Sequence, residues 1–277
     1  MSARSRRTFQ ELITLPEGAV PLAEGALLLA CEEYPQLELA PYLDRLDEIG
    51  ESVRPRLRRY ASPLETIDTI NEVLFGQLGF RGNTENYDDP RNSFFNDVLE
   101  RRVGIPITLS TVYLEIARRV SFPLVGVGMP GHFLVKYNDD REELFIDAFN
   151  DGEILSRDDC ARRFAQMFGE TQPFSDRMLA RTTSRQILFR MLNNLKSIYL
   201  KARTFDKGLA MVELMLMTDP SALEQYRDRG ILNVQLRRFG AAAKDFEHYV
   251  KEAPDAEDRS QIEDHLKELR RIRAMMN

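Results

Sequence analysis

The sequence predicts an α+β protein that ends in an all-helical repeat array. Three observations carry this expectation. Up to about Glu100 the apolar residues recur at spacings of three and four, which marks helices. Between Phe122 and Gly152 the pattern shortens to alternation, which marks strands. Beyond residue 181 two segments match each other without a gap at an offset of 34, Phe205 with Phe239 and Pro220 with Pro254.

The helical part starts with "PLAEGALLLACEEYP", Pro21 to Pro35, bounded by prolines that cannot continue a helix. "LAPYLDRLDEIGESV" follows, with Leu39, Leu43, Leu46, Ile49 and Val53 on one stripe. "PLETIDTINEVLFGQLGF", Pro63 to Phe80, opens with an N-cap serine and a first-turn proline. Turn-forming residues dominate Arg81 to Asn92, which reads as a loop. A further helix is expected over 104–120, after the glycine turn of "GIPITLSTVYLEIARR". Strands are expected at Val125–Val127, at His132–Tyr137 and at Leu144–Phe149, with a hairpin loop in "NDDRE" and a turn at "NDG". "SRDD" at Ser156 then caps another helix, with acids in its first turn.

The 34-residue offset sets the rest. Small residues fall where paired helices cross, and a proline closes each unit. Leu192, Tyr199, Gly208 and Pro220 mark the first unit; Tyr226, Gly230, Ala242, Phe246 and Pro254 mark the second. This is the tetratricopeptide pattern. A last helix carries Ile262, Leu266, Leu269 and Ile272 on one stripe and caps the array. Two units leave an apolar face uncovered, so they are expected to stack on the preceding domain as one rigid body. The expected domains are 1–180 and 181–277.

Composition narrows the function classes. The chain has 277 residues, 43% apolar and 30% charged, enough to bury a core. A net charge of −6 and a pI near 5.4 argue against nucleic acid as the main partner. "RPRLRRY", Arg54 to Tyr60, is a local exception, read as a solvated, acid-paired segment or as a docking patch for an acidic partner. No signal peptide and no membrane-length apolar run is evident, so a cytoplasmic location is expected. Two cysteines make no disulfide framework, and both Cys31 and Cys160 sit among apolar residues as core. No metal or phosphate motif occurs, so no cofactor or metal is expected.

Of the three histidines, His248 and His265 lie on repeat helices without a second ligand at metal spacing. His132 begins an expected strand just after "MPG", and the next strand offers Asp147. With a four-residue loop, Tyr137 pairs with Glu142 and His132 lies directly opposite Asp147, their Cβ atoms about 5 Å apart. A register shifted by two leaves them diagonal on the same face. Either way the carboxylate can hold the imidazole's tautomer, as the third member of a triad does.

"NSFFNDVLERRVGIPITLSTVYLEIARR", "GVGMPGHFLVKY" and "FIDAFNDG" resemble the signature blocks of a bacterial family that joins a transglutaminase-like domain to tetratricopeptide repeats. Its members are commonly labelled SirB-type regulators, and a related segment occurs in a eukaryotic F-box protein. The resemblance runs from about residue 38 to the end. It implies a papain-like core with a small antiparallel sheet. It also implies that the histidine and aspartate of the transglutaminase pattern fall on His132 and Asp147, while the cysteine falls at or beside Pro106. A cysteine at a helix N-terminus is activated by the dipole; a proline there has nothing to attack with.

Other attackers are limited. Ser110 lies one turn deeper than Pro106, about 5.4 Å along the helix, against a base that must sit about 3 Å from its nucleophile. Thr108 is rotated away. Both hydroxyls also fit backbone hydrogen bonding. Asn92, Asn96 and Glu100 share a helix face; Asn96, Glu100 and Arg101 line a cleft above His132, or else serve as caps and surface ion pairs. The sequence therefore predicts a transglutaminase-like protein without its nucleophile, binding a protein or peptide partner. The rival is a hydrolase or transamidase using Ser110 or Thr108 with His132 and Asp147.

Overall fold

The computed structural model of the protein describes residues 1–137, 139, 143–169 and 171–276. Its backbone runs as α1 (Ala3–Ile13), α2 (Leu22–Ala30), α3 (Ala40–Val53), α4 (Pro63–Asn71), β1 (Arg81–Gly82), α5 (Phe95–Arg101), β2 (Val103–Gly104) and α6 (Pro106–Arg119). Then come β3 (Leu124–Val127), β4 (Leu134–Tyr137), β5 (Phe145–Asp147), β6 (Glu153–Leu155), α7 (Arg157–Phe168) and β7 (Arg181–Thr182). Five helices close the chain: α8 (Ser184–Lys201), α9 (Phe205–Thr218), α10 (Leu223–Gln235), α11 (Phe239–Glu252) and α12 (Arg259–Met276). This is a largely helical protein with one small antiparallel sheet and a tetratricopeptide region, as the sequence leads one to expect.

Local chemistry explains the element ends. Ser62 accepts a hydrogen bond from Glu65 N while Glu65 accepts one from Ser62 N, a reciprocal cap that starts α4. The periodic stretch expected to run to Phe80 instead leaves α-geometry at Asn71 and continues as one π-helical turn, Glu72–Gln77. Ser156 and Asp159 cap α7 in the same reciprocal way. The apolar run Leu27 to Cys31 is wholly buried, and Glu24 is the exposed residue of α2.

Helix α6 is the centre of the part that holds the sheet. Pro106 to Tyr113, together with Glu115, Ile116 and Ala117, are buried, so the helix is surrounded. Helices α2, α3, α4 and α5 pack on it, and β3 and β4 cover another side. The sheet has the order β6-β5-β4-β3-β7, antiparallel throughout. Val127, Leu134, Phe145 and Leu155 from the strands form a core cluster with Met129, Cys160 and Leu179. A second, two-stranded parallel pair, β1 with β2, lies just before α6.

The register differs from the one first expected. Val135 pairs with Ile146 and Lys136 with Phe145, and Tyr137 N donates to Leu144 O. That is the alternative displaced by two. Of the hairpin loop "NDDRE", Asn138 and Asp140 to Glu142 lie outside the described residues. His132 also precedes its strand rather than beginning it. Its N–H donates to Met129 O in a turn built on Gly131, whose φ is +73°.

The chain divides into two compact units, Met1–Met191 and Leu192–Asn277. The division falls inside α8, beyond the residue-180 boundary suggested by the sequence. The first half of α8 belongs with the sheet: Arg190 donates to the carbonyls of Met129 and His132, and Ile187 and Leu188 lie against Gly126 and Gly25. In the second unit Ala242, Phe246 and Tyr249 of α11 pack with Ile262, Leu266 and Leu269 of α12. Ile272, expected on the same stripe, lies outside the described side chains. Gly230 lets α10 and α11 approach: a Cβ there would stand 2.3 Å from the Phe246 ring. Among the described residues no helix is long and apolar enough to cross a membrane.

Candidate functional site

The site is built where the turn before β4 meets the end of β5. His132 Nε2 lies 2.9 Å from Asp147 Oδ2. The carboxylate oxygen sits off the N–H direction, so Nε2, although buried, lacks a well-directed hydrogen bond. Asp147 is fully buried and heavily committed. Its Oδ1 accepts from Phe149 N and Asn150 N, capping the turn that follows, and its Oδ2 accepts from Asn150 Nδ2 at 2.8 Å. Arg163 of α7 closes the pair and reaches on to Glu153. Burial pushes the Asp147 carboxyl up; His132, Asn150 and Arg163 outweigh it and hold it below its ordinary value.

Aromatic side chains gather on one side of the imidazole. Phe149 meets it edge-on, centroids 6.2 Å apart, and Tyr87 meets Phe149 in the same manner. Phe168 and Met167, at the end of α7, stand against Gly131. Tyr87, Met167 and Phe168 are all conspicuously exposed for their size. Apolar side chains left in water beside a buried polar dyad are what a binding cleft presents.

Tyr87 is carried by a loop that Asn92 ties down. The fully buried Asn92 donates through Nδ2 to Asn86 O and Tyr87 O, and its Oδ1 accepts from Asn83 and Arg101. Sequence reasoning noticed Asn92 only as a face-mate of Asn96. Nothing in its spacing announces a residue that ties down the loop just before it.

The other candidates fall as follows. Pro106 is buried at the first turn of α6. Thr108 Oγ1 donates to Asn92 O at 2.8 Å and accepts from Ile105 N, so its hydroxyl is a helix cap. Ser110 Oγ donates to Phe133 O at 3.4 Å, one residue from His132, and is fully buried. Arg101 turns to Asn92 and Asp89, and Asn96 is buried with its Oδ1 unpartnered. Glu100 accepts from Tyr42 on α3, where burial and then that carboxylate push the tyrosine up to about 12. Neither thiol offers a substitute nucleophile: burial pushes Cys160 up to about 11 and raises Cys31 too. A cleft of roughly 780 Å³, lined among others by Glu24, Leu114, Phe122 and Arg181, lies elsewhere; neither His132 nor Asp147 is among its lining residues.

Comparison with known proteins places this geometry. A profile described as transglutaminase-like superfamily matches residues 40–193, and one described as tetratricopeptide repeat matches 195–267. The chain belongs to the transglutaminase-like superfamily. It is 34% identical to a UPF0162 protein of Xylella fastidiosa over 94% of both chains. It is 28% identical to a UPF0162 protein of Vibrio cholerae, covering 86% of this chain and 88% of that one. A shorter stretch, 48% of this chain, is 33% identical to human F-box only protein 21 and spans 22% of it. No solved structure matches. The profile spans α3 to the first half of α8, so the transglutaminase-like region contains the His132–Asp147 pair and the first turn of α6 together.

Proposed function

We propose that this transglutaminase-like chain is non-catalytic, and that it acts as a cytoplasmic regulator or scaffold that binds a protein or peptide. The imidazole and carboxylate of an acyl-transfer site remain, and the group that would attack is missing. One observation supports this above the rest: the first turn of α6 is closed. Pro106 is buried, and the hydroxyls of Thr108 and Ser110 are spent on carbonyls of Asn92 and Phe133. A general base accelerates acyl transfer only through a nucleophile within hydrogen-bond reach. The exposed rim of Tyr87, Met167 and Phe168 gives a partner apolar surface to cover. Tetratricopeptide repeats mediate protein–protein interaction generally, which fits the same role.

The rival is a hydrolase or transamidase in which Ser110 or Thr108 attacks with His132 as base and Asp147 behind it, favoured only by the nearness of Ser110 to the Phe133 carbonyl. Turnover assays on a panel of peptide, ester and primary-amide substrates separate the two. The non-catalytic reading expects rates equal to the buffer blank for the native chain and for His132→Ala. Turnover in the native chain that disappears in His132→Ala overturns it.

A further inference from the structure

Arg190 stands out beside the dyad. It is half-buried in α8, and burial pulls its guanidinium below its ordinary value. Arginines in such places are normally paired with a carboxylate, because an uncompensated cation is costly away from water. Among the described residues Arg190 makes no ion pair. Its Nη2 donates to the carbonyls of Met129 and His132, at 2.9 and 2.7 Å, which fixes the head group beneath the histidine turn. The plane lies over the Phe133 ring, 5.6 Å from its centroid. Gly128 makes room for it: a Cβ there would stand 3.0 Å from Nη1. Nη1 and Nε carry no hydrogen bond within the described residues, and Tyr87 lies in electrostatic reach.

The acidic groups around this point are occupied. Asp147 and Glu153 are held by Arg163, Asp89 is held by Arg91, and Asp88 is engaged as well. What remains is a positioned guanidinium with spare donors, bonded to the His132 carbonyl, stacked on Phe133 and in electrostatic reach of Tyr87.

We propose that Arg190 is the anchor of the cleft and receives the side-chain carboxylate of an internal Asp or Glu, flanked by apolar residues, on a bound peptide segment. This rests on the protein-binding reading above. The guanidinium supplies the charge-assisted hydrogen bond, and Tyr87, Phe149 and Phe168 cover the flanking side chains. A chain-terminal carboxylate fits less well, since such groups are captured by nests of backbone N–H, whereas the donors here are side chains.

The test uses the full chain and immobilised libraries of heptapeptides, acetylated and amidated so that no terminal charge remains. The central residue is Glu in one pool and Gln in another, and the flanks are randomised over Leu, Val, Phe and Tyr. The expected result is roughly tenfold stronger retention on the Glu pool, with the ratio falling toward one as salt rises from about 0.05 to 0.5 M. Arg190→Met abolishes the preference while the Gln pool keeps its weak retention. Should that variant not fold, Arg190→Lys, which keeps the charge without the fork, reduces the preference instead. Equal retention of both pools, retention of neither, a ratio indifferent to salt, or an unchanged preference in the folded variant overturns the proposal. Cleavage of the retained peptides, lost in His132→Ala, would instead overturn the non-catalytic reading and leave carboxylate recognition standing.

Discussion

Asp147 gathers more of the site than any other residue. It caps the turn after β5, holds Arg163, and faces His132, all from full burial. Removing one partner from such a buried network leaves the other charge uncompensated. Asp147→Asn is expected to cost about 3 kcal/mol at neutral pH, read from urea denaturation. The sign of the pH effect follows from the lowered carboxyl. A depressed folded value means that the native state favours the charged form. The stabilisation is therefore complete above the unfolded value of about 3.9 and is lost as pH falls through the lower folded value. Native protein should lose stability steeply below about pH 4, and Asp147→Asn should lose less over the same interval. An equal acid slope in both proteins contradicts this assignment. That His132 and Asp147 lie close was legible in the sequence, although His132 sits in the turn before β4 and not on the strand whose alternation suggested it. Arg163 and Asn150 were not, since each reaches Asp147 from a different element, α7 and the turn after β5.

At the scale of elements, helix starts and loop ties decide how tightly the cleft is built. Thr108 caps α6 and binds Asn92 O with no exposure to water. Thr108→Val is expected to destabilise the chain by about 1–2 kcal/mol. A hydroxyl poised for catalysis would instead show its loss in a rate. Gly152 has the least room for a side chain among the glycines. Its φ is +77°, a Cβ would stand 2.2 Å from Asn71 Oδ1, and Asn71 also accepts from Tyr113 OH. Asn71 Nδ2 donates to Gly152 O, so Gly152→Ala strains the turn and breaks that link from α4, and is expected to cost more than about 2 kcal/mol in thermal unfolding. The sequence announced the capped helices, since a Ser-x-x-acid pattern acts locally. It did not announce β1, β2, β6 or β7, each only two or three residues long. Such short strands exist through their partners, and a run that brief has no period to read. The switch from α- to π-geometry after Asn71 was equally silent, because the apolar spacing continues across it.

For the whole molecule, the 34-residue period was the most readable feature, because each repeat must bury the same positions against its neighbour. Gly230 tests that packing. Gly230→Val drives a branched side chain into Phe246, and hydrogen exchange should show protection lost across α10 to α12 while residues 1–191 keep theirs. Loss of protection across both units alike contradicts the division into two compact bodies. The transglutaminase-like family of the first unit was readable as a resemblance, and the same resemblance implies that Pro106 falls at or beside the cysteine's position. Which side chains gather near His132 was not readable: Tyr87 meets Phe149, Phe168 stands against Gly131 and Arg190 holds the His132 carbonyl, all from positions distant in sequence. The central claim is that no nucleophile is presented to His132. Intact-mass spectrometry of the full chain after exposure to fluorophosphonate and iodoacetamide probes tests it most directly. The account predicts unmodified protein under native conditions. A stoichiometric adduct at Ser110 or Thr108, absent in His132→Ala, would contradict it.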